Sequence, residues 1–126
     1  MKTIILSVMI SFASVAMGQA DELLDSYMAY ISENDLYNSK GQRLTRPWQI
    51  IRQDRANFHH FGESDEWDSE DSFFASRNNR AIAERMLQNG RISSSAAQSI
   101  VDGYVIIVVE IYGENGFGEY LHVTVQ

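Results

Sequence analysis

Alternation of apolar and polar residues is most regular at the C-terminal end. Tyr104 to Tyr112 (YVIIVVEIY) and Glu119 to Gln126 (EYLHVTVQ) are rich in β-branched and aromatic residues and flank a Gly-Glu-Asn-Gly-Phe-Gly segment, which predicts an antiparallel hairpin. The pattern also predicts a register. Placing Ile111 opposite Leu121, Val109 opposite Val123 and Ile107 opposite Val125 gathers the aliphatic side chains on one face. Tyr112 then faces Tyr120, Glu110 faces His122 and Val108 faces Thr124 on the other. A plain two-residue Asn115-Gly116 turn would set Val109 against His122 and mix the faces, so a loop of three to five residues is expected. Two strands alone are marginal, and the apolar first strand would be a sticky edge. Helices must cover one face, and a third strand or a second subunit could cover the edge.

Helical spacing dominates the middle of the chain. Thr45 to Gly62 (TRPWQIIRQDRANFHHFG) predicts a helix with Thr45 as N-cap, Pro47 in the first turn and Gly62 in a left-handed closing conformation. At about 100° per residue, Trp48, Ile50, Ile51, Phe58 and Phe61 form one apolar arc, with Gln49, Gln53, Asn57 and His60 opposite. Asp54 and Arg55 fall inside the apolar arc. Neighbouring helical residues diverge, so each is expected to find a partner on another segment, with Arg77, Arg80 and Arg85 the candidates for Asp54.

Asp21 to Ser32 places Leu23, Leu24, Tyr27, Met28 and Ile31 at helical spacing and is read as a helix, although SYMAYI also alternates as a strand would. Glu33 to Leu44 is rich in turn formers. Phe73 to Gln88 is helical with a break near Asn78-Asn79, where Asn79 would cap a second piece, and Asn89-Gly90 stops it. A short helix follows, capped by Ser93 or Ser94 and ended by Gly103. The fold class is therefore α+β: three to four helices packed on a C-terminal antiparallel β-hairpin, with a third strand as an option, in a single small domain.

Composition changes the setting rather than the fold. Lys2, the apolar run Ile4 to Ala16 and the small residues that follow form a signal-peptide pattern over residues 1–20, cleaved after Gly18 or Ala20. The domain then spans 21–126, and a periplasmic or secreted location is expected. Without Lys2, nine basic residues stand against 17 acidic ones, a formal charge of −8. That balance argues against nucleic acid and against an anionic membrane surface as partners once the signal is removed, and leaves a basic protein or a cation. Zero cysteines exclude a disulfide framework and a thiol nucleophile.

Candidate chemistry is sparse. There is no G-x-S-x-G, H-E-x-x-H, P-loop or G-x-G-x-x-G pattern. A hydrolytic site would have to use Asp54, Arg55, His59 and His60, with His60 meeting an acid from the run Glu63 to Asp71. Within that run Asp65, Asp68 and Asp71 are hard oxygen ligands, but their spacing of three is not that of an EF-hand loop, and helix capping is the preferred reading. Glu110, Tyr112, Tyr120 and His122 form the candidate contact surface on the polar hairpin face. No cofactor and no resident metal are expected. The favoured function is an exported, non-enzymatic, acidic binding module, of inhibitor or immunity type, for a basic protein, with a homodimer through the hairpin edge as an option. The alternatives are a small periplasmic hydrolase at Asp54, Arg55, His59 and His60, and a cation-binding protein using residues 63–71.

Overall fold

A computed structural model describes residues 21–126; the signal-peptide expectation lies outside the described residues. Strand β2 (Ile106–Glu114) is central, between β1 (Glu22–Tyr30) and β3 (Phe117–Val125), in a three-stranded antiparallel sheet. The hairpin register is the expected one, with Ile111 opposite Leu121, Val109 opposite Val123 and Ile107 opposite Val125. The loop is not. Asn115 and Gly116 make a two-residue turn with φ of 52° and 81°, as a type I′ hairpin turn requires. A one-residue bulge at Glu119, between the Tyr112–Tyr120 and Gly113–Gly118 pairs, then shifts the register back.

The helix expected over Asp21 to Ser32 is instead strand β1. Tyr27, Ala29 and Ile31 point into the core, while Leu23 is 53% exposed and Met28 lies on the open face. The period of two wins because β2, apolar on both faces, needs a partner on its free edge. Both outer edges of the sheet are partly covered within the chain. The acidic segment runs beside β1, with Ser69 N donating to Met28 O (2.8 Å), Met28 N to Ser69 Oγ (2.8 Å) and Tyr30 N to Asp68 Oδ1 (2.9 Å). Beside β3, Arg91 N donates to Leu121 O and Arg91 O accepts from Val123 N, both at 2.9 Å. Gly90 permits that approach: a Cβ there would stand 1.7 Å from Leu121 O.

Four helices cover the other face. Helix α1 (Pro47–His59) packs on α3 (Ala83–Gln88) and α4 (Ser94–Asp102), and α2 (Arg77–Ala81) flanks α1. The N-cap of α1 is Arg46 rather than Thr45, and Gln49 Oε1 accepts from both backbone N–H groups at 3.3 Å. The later break falls at Ile82, not at Asn78-Asn79. Ser76 caps α2 by accepting from Asn79 N, and the Asn79 amide donates to Phe73 O (2.9 Å). Ser93 caps α4 through Ala96 N (3.1 Å), and Gly62 takes the left-handed φ of 66°. Between the layers lie Ile50, Ile51, Phe74, Met86, Ile100, Ile107, Val109, Ile111 and Leu121. No helix among the described residues is long and apolar enough to cross a membrane.

Candidate functional site

The charges inside the apolar arc of α1 do become buried, but their pairing differs from the expectation. Arg55 is 0% exposed and its Nε donates to the adjacent Asp54 Oδ2 at 2.7 Å. The flexible stem of arginine curls its head back across the 100° that separates the two Cβ directions. Arg77, Arg80 and Arg85 take no part. Arg55 Nη1 donates to Asp71 Oδ1 (2.8 Å) and to Ser69 O (3.3 Å), so the acidic segment after α1 supplies the second carboxylate. Its guanidinium lies between the rings of Tyr27 and Phe58, 4.0 and 4.6 Å from their centroids. Burial pushes the Asp54 carboxyl well above the usual carboxylate range, with Arg55 opposing. Arg55 Nη2 and the Tyr27 hydroxyl are buried without a partner among the described residues.

His59 completes this group: its Nε2 lies 2.8 Å from Asp71 Oδ1. His59, rather than His60, therefore meets an acid of the segment. A histidine oriented by a carboxylate is half of a base-and-orienter pair. No hydroxyl among the described residues hydrogen-bonds its ring, however. Five concavities of 420–770 Å³ can be delineated on the surface, and Asp54, Arg55, His59 and Asp71 line none of them. Asn57, expected on the solvent side, is also buried, its amide donating to Asp35 Oδ1 at 2.8 Å. Burial raises the Asp35 carboxyl, against the bonds from Ser32 and Asn57.

The acidic segment is occupied with folding. Asp71 Oδ2 accepts from Phe74 N (2.6 Å) at the start of a 3-10 turn over Phe73–Ala75, not of a long helix, and Asp68 accepts from the backbone of Tyr30 and Asp65 (2.9 and 2.8 Å). Asp65, Asp68 and Asp71 do not converge on one point. The group of carboxylates close enough to share an ion, among the described residues, is instead Asp21, Glu114 and Glu119 near the hairpin turn.

The expected contact residues do share one face. Tyr112 and Tyr120 stack with centroids 4.9 Å apart and planes 11° from parallel. His122 Nδ1 lies 3.3 Å from Glu110 Oε1, and the Tyr112 hydroxyl donates to Glu110 Oε2 (3.1 Å). Desolvation and that bond to a carboxylate both raise the Tyr112 phenol. Among the described residues, no helix covers this side of the sheet.

Sequence reasoning missed a cavity of about 470 Å³ on the outer side of α1, lined by Trp48, Arg52, His60, Phe61, Arg77 and Arg80 among others. The available signal was Trp48, Arg52, Ala56 and His60 recurring every fourth residue, with Arg77 and Arg80 three apart on a second helix. Comparison with protein-family models, curated proteins and solved structures gives no match.

Proposed function

We propose that the protein is an exported, non-enzymatic binding module that engages a basic protein partner through the open face of its sheet. The observation that carries this reading is the stacked Tyr112–Tyr120 pair beside Glu110 and His122, on a sheet face that no helix among the described residues covers and whose other face packs on helices. Rigid aromatic side chains with a polar rim supply contact area at low entropic cost. Charge supports the choice of partner, since Asp21, Glu114 and Glu119 gather near the turn of the same hairpin in a strongly acidic chain.

The hydrolase alternative draws on the contact between His59 and Asp71, but the pair borders none of the delineated concavities and lacks a hydroxyl nucleophile at hydrogen-bond range. The cation-binding alternative is weakened by the divergence of Asp65, Asp68 and Asp71. A pull-down from periplasmic extract at low and moderate salt, run in parallel with Tyr120→Ala, tests the proposal. A prey that wild type retains, that added salt releases and that the folded variant fails to retain supports it. An empty bait at both salt concentrations, or equal capture by Tyr120→Ala, refutes it.

A further inference from the structure

We infer that the cavity between α1 and α2 is a second, independent site, built to hold the oxyanion end of a small organic molecule with a flat apolar body. The first argument is charge. Three of the nine arginines and lysines in 21–126, Arg52, Arg77 and Arg80, line one cavity, and no aspartate or glutamate lines it. In a chain with nearly twice as many acids as bases, that segregation is not what random surface mixing gives. None of the three forms an ion pair among the described residues; the pairs that exist involve Arg55, His59 and His122.

The second argument is preorganisation. Arg80 is only 7% exposed, and its Nη1 is fixed by bonds to Phe74 O (2.8 Å) and Ala75 O (3.1 Å). No protein acceptor among the described residues takes its remaining N–H groups, which leaves donors of a rigid guanidinium for a ligand. Burial, followed by the charges of Arg52 and Arg77, makes Arg80 less basic than usual, with the more weakly acting Asp71 opposing. A bound anion would relieve that repulsion through charge-assisted hydrogen bonds, which arginine makes best to the planar or trigonal oxygens of carboxylate and phosphate.

The third argument concerns the rest of the wall. Trp48 and Phe61, the latter 54% exposed, give the cavity aromatic surface beside its cationic side. Its volume suits a molecule of a few to about twenty heavy atoms, within the usual range of roughly 300–1,000 Å³ for ligand sites. Inorganic phosphate alone would leave that aromatic surface unused.

Tryptophan emission reports the site directly. Trp67→Phe removes the other indole, which sits exposed on the acidic segment, so that Trp48 alone is read. The probes are benzoate, phenyl phosphate, inorganic phosphate and benzamidine, the last a cation with the same flat body. Saturable change with benzoate or phenyl phosphate, weakened by salt and absent with benzamidine, is the expected result, and whichever of the two binds tighter identifies the oxyanion. Arg52→Gln and Arg77→Gln, both at exposed positions, should each weaken binding roughly tenfold or more, whereas Arg85→Gln, which changes the net charge equally outside the cavity, should not. Thermal unfolding of each variant confirms that it is folded. No saturable binding of either organic anion, equal binding of benzamidine, or equal loss with Arg85→Gln overturns the site. Inorganic phosphate binding as tightly as phenyl phosphate overturns the apolar half of the inference.

Discussion

Replacing Arg55 with methionine leaves two buried carboxylates facing each other's former cation. Methionine retains much of the aliphatic stem and can still pack between Tyr27 and Phe58, so little cavity term is added. What disappears is the bond from Nε to Asp54 at 2.7 Å, the bond from Nη1 to Asp71 at 2.8 Å and the attraction of the cation to two aromatic faces. Removing one partner of a buried ion pair costs about 3–5 kcal/mol. Domains of this size have a total stability of about 5–15 kcal/mol, so the variant should sit close to the limit of folding. Its Tm should fall by roughly 12–25 °C.

The pH dependence separates this mechanism from a simple packing loss. Burial already raises the folded pKa of Asp54, so its contribution to stability is full below the unfolded value of about 3.9 and is lost as pH rises through the folded value. Without Arg55 that folded value moves further up. The deficit of Arg55→Met should therefore be largest at neutral pH and shrink toward pH ~4, where the carboxyls of both states take up protons. Urea unfolding followed by circular dichroism across this range measures it. A deficit below about 1 kcal/mol at neutral pH, or one of the same size at both ends of the range, would refute the reasoning.

Two further outcomes follow from particular atoms. Tyr27→Phe removes a buried hydroxyl that has no partner among the described residues while keeping the ring against Arg55 and Phe74, so stability should be unchanged or rise by about 1 kcal/mol in a thermal melt; a loss of that size would show that the hydroxyl is satisfied. Asp25→Ala deletes the acceptor of bonds from Ser72 N (2.8 Å), Ser72 Oγ (3.1 Å) and Phe73 N (3.2 Å) and should cost about 1–2 kcal/mol at neutral pH. Burial alone would raise Asp25, but the bonds from Ser72, Phe73 and Ser26 prevail and lower it. Its contribution is thus complete above the unfolded pKa and disappears as pH falls through the folded one, so the gap to wild type should close in acid; a gap undiminished at about pH 2 would contradict this.

The hairpin register was legible because burial admits one solution: a one-residue slip exposes three aliphatic side chains, about 1.5–3 kcal/mol each when fully buried. The bulge that reconciles this register with a two-residue turn was not legible, since Glu119 carries no local sign that it will be skipped. Strand β1 was ambiguous for a different reason. Its residues satisfy both periods, and the decision came from the exposed edge of β2, a tertiary fact. The burial of Asp54 and Arg55 could be read from the helical wheel, whereas their partners could not. One lay at the adjacent position, reached by the bend of a long side chain, and the other 16 residues away on a segment without regular structure.

That segment also explains why the arginines around the outer cavity stay unpaired. The aspartates of this chain are engaged largely by backbone donors. Asp25 accepts from Ser72 and Phe73, Asp35 from Ser32, Asp68 from Tyr30 and Asp65, and Asp71 from Phe74. A carboxylate held by an N–H group ties down a turn, a strand edge or a helix start, and in doing so is kept from wandering toward a surface cation. Among the described residues, Arg55 is the one arginine drawn into carboxylate pairs, and it joins α1, β1 and the acidic segment at a single point. The acids thus hold the fold together at one end of α1. Along its outer side, Arg52 of α1 and Arg77 and Arg80 of α2 line one cavity and form no ion pair with a carboxylate among the described residues.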